Sequence, residues 1–165
     1  DEDFVAEVQD NLGKMYSKVE YEEGYTLVFQ GKFEEGLEKL LPLEEKYGDW
    51  WNLLFMIGLA YKNMGEIENA KEYYEKILRM KPQQVDTLVE LALCEASTLN
   101  MNRAIELLEA AAKLKEDPEI LCNLGMAYLN VGNFDDANYY IERAYELNPE
   151  DEVTVACKRE LAKYI

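Results

Sequence analysis

Apolar residues recur along this chain in pairs three positions apart, each pair followed at once by a small residue: Leu54, Ile57 and Gly58; Leu88, Leu91 and Ala92; Leu121, Leu124 and Gly125. That spacing lays one apolar stripe along a helix. Three residues past the small position stands Tyr61 or Tyr128, and then a turn glycine, Gly65 or Gly132. A second helical stripe follows, Ile67, Ala70, Tyr74 and Ile77 in one block and Phe134, Ala137, Ile141 and Ala144 in another. Pro82 and Pro149 end it, because the proline ring disfavours helical backbone in the residue before it. Each block therefore reads helix, turn, helix, stop. The blocks run over 51–84, 85–117 and 118–150, a period of 34 with one copy of 33, and a weaker copy covers 17–50.

Small residues pair up within each block, Gly58 with Ala70, Ala92 with Ala104 and Gly125 with Ala137, as expected where two helices of a hairpin cross closely. The block from Val85 departs from its neighbours: Glu95 replaces the tyrosine, Leu99 the turn glycine, and the proline falls at Pro118. A carboxylate is costly to bury unpaired, so either this site is wet or a cation meets it, for which Arg103 on the next helix is the candidate. The block from Ser17 keeps Gly24, Gly31 and Phe33 but sets Glu20 and Glu23 at apolar positions. Outside the blocks, Phe4, Val8, Leu12, Met15 and Val19 fall at helical intervals, which predicts an N-terminal helix over 1–16. Residues 151–165 read as a final helix that caps the last repeat, with Val155, Leu161 and Ala162 inward and Lys158, Arg159, Glu160 and Lys163 outward.

The set Gly58, Tyr61, Ala70, Tyr74 and Pro82 resembles the signature of the tetratricopeptide repeat, and Gly125, Tyr128, Ala137, Ala144 and Pro149 resemble it nearly as well. The resemblance covers about four fifths of the chain. It implies an all-α fold, a right-handed superhelical solenoid of stacked antiparallel helix pairs forming one domain over 1–165, and a non-catalytic protein-interaction role.

Composition narrows the function. The 34 acidic and 17 basic residues give a net charge of −17, a field that repels nucleic-acid phosphates and anionic membrane surfaces. Histidine, the side chain most used for general-base and metal chemistry, is absent. No phosphate loop, nucleophile elbow or calcium loop is present, so no enzyme activity, cofactor or metal is expected. No apolar run is long enough to span a membrane. The start Asp1-Glu2-Asp3-Phe4 has neither an initiator methionine nor a signal-peptide layout, as expected of a piece of a longer chain. Cys94, Cys122 and Cys157 lack metal-ligand spacing and read as small buried thiols in a reducing, cytoplasmic setting; Cys94 and Cys122 lie on adjacent repeats, an arrangement that would let them bridge.

In a stack of hairpins the first helices build the concave wall where a guest would lie. The residues off the packing stripe are Tyr21, Tyr25 and Phe29; Phe55, Met56, Leu59 and Asn63; Asp86, Glu90 and Leu93; and Glu119, Asn123, Met126 and Asn130. They form an apolar strip flanked by Asp86, Glu90 and Glu119, suited to an extended peptide or amphipathic helix with apolar anchors and basic flanks. Phe55, Leu59 and Leu93 are the members nearest the core. Relatives that grip the carboxylate of heat-shock chaperone tails use a basic clamp, but here the matching positions hold Tyr21, Tyr25, Met56, Asp86 and Glu90, or, one block along, Phe55, Leu59, Glu90, Glu119 and Asn123. Neither set is cationic, which excludes that type of adaptor. The expectation is a scaffold or adaptor module; the other readings left open are a small acidic export chaperone that masks apolar client segments and a regulatory domain of a larger protein.

Overall fold

A computed structural model describes residues 2–165, the side chains of 2–4, 10 and 11 excepted. Among the described residues all regular structure is helical. The chain divides into two compact units, 1–80 and 81–165. The first holds α1 (Glu2–Phe29), α2 (Phe33–Tyr47), α3 (Trp51–Asn63) and α4 (Ile67–Met80). The second holds α5 (Val85–Ser97), α6 (Met101–Leu114), α7 (Pro118–Asn130), α8 (Phe134–Leu147) and α9 (Glu152–Leu161). Helices α3, α5 and α7 begin where the repeat blocks begin. The expected N-terminal helix is not a separate element: its residues run without a break into the first helix of the divergent repeat, giving a single α1 of 28 residues.

Each hairpin is closed by contact at its small residue. A methyl group built on Gly58 would lie 2.8 Å from the Tyr74 ring, and one on Gly125 would lie 2.5 Å from Ile141 and 3.1 Å from the Ala137 carbonyl oxygen. The side chain filling the crossing is thus one turn beyond the alanine that the sequence pairs with the glycine. The divergent repeat uses two glycines, where added methyls would meet Leu40 from Gly24 and Val28 from Gly36. In the first unit Leu40, Leu53, Ile57 and Ala60 are wholly buried between the two hairpins. Glu20 and Glu23, at nominally apolar positions, stay at the surface and share Lys39 of α2 at 3.4 and 3.0 Å.

The four hairpin turns have one geometry. Gly31, Gly65, Leu99 and Gly132 all have positive φ, and the following residue donates its N–H back across the helix end, from Lys32, Glu66, Asn100 and Asn133 to the carbonyls of Leu27, Tyr61, Glu95 and Tyr128. This is the left-handed helix stop that glycine normally supplies. Leu99 adopts it at φ 65° with its side chain in solvent, at a steric cost of about 1–2 kcal/mol.

Glu95, 5% exposed, belongs to this turn. Its partner is not Arg103, which pairs with Glu106 at 3.1 Å. Instead Asn100 donates its side-chain amide to Glu95 at 2.9 Å and its N–H to the Glu95 carbonyl at 2.8 Å. Asn100 follows the left-handed residue directly, so its side chain folds over the end of α5, whereas Arg103 is already a turn into α6.

Pro82 and Pro149 follow the ends of α4 and α8, whereas Pro118 opens α7, where its missing N–H costs nothing. The last helix is shorter than expected and rotated: Thr154, Cys157 and Leu161 face α7 and α8, while Val155 and Ala162 are exposed. Lys158, expected outward, lies 3.9 Å from the centre of the Tyr145 ring and pairs with Glu142 at 2.9 Å. Asp151 caps α9, accepting the N–H and hydroxyl of Thr154, both at 2.7 Å, which holds its carboxyl below the usual range. None of the three cysteines forms a disulfide among the described residues. The thiol that Cys122 meets is Cys157 of α9, not Cys94; that hydrogen bond lowers the Cys122 thiol to about 7.

Two stability changes follow. Leu99→Gly should stabilise the chain by about 0.5–1 kcal/mol, the relieved strain less the extra freedom of glycine in the unfolded state. Leu161→Ala should cost about 2–4 kcal/mol by opening a cavity beneath α9. Urea unfolding measures both, and a destabilised Leu99→Gly or an unchanged Leu161→Ala would contradict this account of the turn or the cap.

Candidate functional site

In the first unit, α1 carries Tyr21, Tyr25 and Phe29 one turn apart, on a face that α2 leaves uncovered. Tyr25 and Phe29 lie 4.6 Å apart between ring centres, and Tyr21 and Tyr25 6.2 Å. Trp50, which precedes α3, meets Tyr21 edge-on at 6.3 Å and stacks on Tyr47 at 4.4 Å. The result is a run of five aromatic rings open toward Phe29, whose side chain is 67% exposed. Burial, then neighbouring Tyr25, raises the Tyr21 phenol above its ordinary value. Trp50 escapes the helical pattern because it lies in the loop between hairpins; only its size and its place beside Trp51 mark it in the sequence.

On α3 the expected face is mostly closed. Met56 is 4% exposed and packs with Leu40, Leu53 and Ala60, so it is removed from the binding face. The reason is that α3 serves two interfaces: Gly58 faces Tyr74 of α4, and Met56 shares a core with Leu37 and Leu40 of the preceding hairpin. Phe55 is half-buried with its ring 5.8 Å from Tyr74, and Leu59 is half-buried on the same core. Asn63 is exposed and donates its amide to the Leu59 carbonyl at 2.8 Å.

In the second unit, Asp86 and Glu119 are exposed in the first turns of α5 and α7, where carboxylates favour the helix dipole. Glu90, Leu93 and Asn123 are half-buried. Met126 packs on Ala137, Ile141 and Leu161, so α9 partly covers it. Asn130 repeats Asn63, exposed and donating to Met126 at 2.9 Å. Of the expected apolar strip, then, Tyr25 and Phe29 are open, Leu93 is half-buried, and Phe55, Leu59 and Met126 are tied to packing.

The signature tyrosines hold the first helices from behind. Tyr61 stacks on Tyr73 at 5.8 Å and Tyr128 on Tyr140 at 5.7 Å. In the first unit Tyr73 donates to Glu44 at 2.6 Å, and Lys76 reaches the same carboxylate at 3.1 Å. In the second, Tyr128 donates to Glu109 of α6, and Arg143 reaches back to Glu116 at 2.6 Å. Within each unit, successive hairpins are thus tied together, α4 to α2 in the first and α7 to α6 in the second.

Two stretches of the chain, 52–84 and 118–151, match family models of the tetratricopeptide repeat. A photosystem I assembly protein, Ycf3 of Prochlorococcus marinus, is 31% identical over 127 residues, covering 70% of this chain and 73% of that one. The chain belongs to the tetratricopeptide repeat family. The BBSome complex member BBS4 of Bos taurus is 29% identical over 110 residues, 66% of this chain but 21% of that protein. Among solved structures, MamA superposes with a TM-score of 0.75 at 20% identity, covering 90% of this chain and 81% of its own. YrrB, a tetratricopeptide repeat protein described as having an unusual peptide-binding site, gives a TM-score of 0.77 at 14% identity, covering 87% of this chain and 74% of its own. The likeness fixes the fold as a solenoid of helix pairs, and the family makes the chain a protein-interaction module of scaffold or adaptor type. No helix among the described residues is long and apolar enough to cross a membrane.

The tyrosine anchors predict alkaline sensitivity. Burial first, then Glu44 or Glu109, raises the Tyr73 and Tyr128 phenols well above their ordinary value. A raised folded value means that stability is intact below about pH 10, where free tyrosine titrates, and falls as pH rises beyond it. Melting temperature against pH should therefore drop above that point, and Tyr73→Phe with Tyr128→Phe should flatten the drop. A double variant as alkali-sensitive as the parent would remove these phenols from the account.

Proposed function

We propose that the chain binds an apolar peptide or amphipathic helix of a protein partner on the exposed faces of its first helices, and thereby holds that partner for assembly. The observation that carries this reading is the exposed pair of rings Tyr25 and Phe29, continued inward by the half-buried Tyr21, since exposed apolar surface on a charged protein marks a contact site. Net charge supports a guest with basic flanks. Asn63 and Asn130 place an amide at matching repeat positions, where peptide backbone would be read. The relatives named for photosystem assembly and for a multisubunit complex support a role in building or holding a complex. A reducing, cytoplasmic setting is part of the same reading, in keeping with three cysteines outside any disulfide.

Calorimetric titration with acidic-flanked and basic-flanked versions of one apolar helix tests it. The basic version should bind more tightly, and its association should slow with salt, because exposed charges are screened beyond about 8 Å at physiological ionic strength. Phe29→Lys should abolish binding while leaving the melting curve intact, whereas Ile57→Lys should unfold the protein. Tighter binding of the acidic peptide would reverse the assigned polarity.

A further inference from the structure

Helix α1 has two apolar faces, and the hairpin uses one. Gly13, Gly24 and Val28 point at α2: methyls built on the two glycines would lie against Lys46 and Leu40, and Val28 lies against Gly36. The other face, about 150° around the helix at 3.6 residues per turn, carries Val5, Val8, Leu12, Met15 and Val19. All five are exposed, Met15 to 63%. Their spacing of three, four, three and four is that of a coiled-coil seam. A face used only to cap an array would be polar instead, as Glu22 and Thr26 are further along the same helix.

Charge selects what covers the seam. Over residues 5–19 the chain carries Glu7 and Asp10 against Lys14 and Lys18, two acidic and two basic, so the segment is neutral within a protein of net charge −17. A basic or acidic partner gains nothing there. The signs are also segregated: residues 1–10 hold only acidic charges and 11–19 only basic ones. Reversing the helix about Leu12 sets Val5 on Val19 and brings Glu7 to the turn that bears Lys18. Glu7 and Lys18 lie on the same flank of the seam, the flank that antiparallel helices bring together. Lys18 is 73% exposed, and its nearest carboxylate, Glu22, is 3.9 Å away.

We propose that this seam is an interface between two copies of the chain, which pair antiparallel through residues 5–19 about a two-fold axis at Leu12. A two-fold interface is self-complementary, so one stripe with one charge gradient is sufficient. The aromatic run toward Phe29 lies outside the seam, so pairing leaves the proposed binding face of each copy open.

Sedimentation equilibrium of the full chain should show a reversible dimer that weakens as salt rises. Leu12→Lys should raise the dissociation constant about a hundredfold or more, because each substitution is felt twice across the axis, and circular dichroism should show helicity and melting unchanged. Glu7→Lys alone and Lys18→Glu alone should each weaken the dimer, and the two together should restore it. A wild-type chain monomeric up to millimolar concentration overturns the proposal, as does a dimer that Leu12→Lys leaves intact. A double charge variant that fails to recover overturns the antiparallel pairing.

Discussion

The fold rests on how closely two helices can approach at one small residue in each hairpin. At Gly58 and Gly125 the space a methyl group would need is taken by Tyr74 and Ile141. Those side chains are wholly buried because the opposing backbone is so near. Dense packing of this kind leaves little room to adjust, so a larger residue at the crossing would push the pair apart and with it everything stacked on the outer faces. The divergent repeat meets the same constraint with glycine on both helices, and in consequence Leu40 and Val28 fill its crossing.

Once the hairpins are set, α3 and α7 each have three faces to satisfy. One meets its own second helix, one meets the preceding hairpin, and one is left for solvent or a guest. In α3 the first two consume nearly all the apolar residues, Met56 included, so little remains open. In α1 the contact with α2 uses Gly24 and Val28, and Tyr25, Phe29 and the seam of residues 5–19 stay exposed.

The polar groups of this protein mainly fix geometry. Glu44 and Glu109 accept tyrosine hydroxyls and Glu116 accepts Arg143, joining successive hairpins. Lys39 accounts for two carboxylates that otherwise look misplaced. Each exposed pair adds little stability by itself. Together they hold the register of helices whose apolar contacts alone would tolerate sliding.

By itself the sequence determined the repeat, the small residue at each crossing and the glycine turns, because all depend on residues within one period of each other. It also marked Glu95 and Leu99 as departures, since local chemistry is enough to show that a carboxylate and a leucine are out of place there. Tertiary structure decided the rest. Arg103 was the nearest cation in sequence, but the left-handed turn at Leu99 aimed Asn100 at Glu95 instead. Met56 matched the open face by helical phase and was buried by the preceding hairpin. Val155 and Lys158 exchanged their expected sides because α9 packs on two helices at once. Trp50 had no helical phase to read. A stripe on a helix shows which residues share a face, but whether that face is open depends on what stacks against it, and that is settled by contacts between elements distant in the chain.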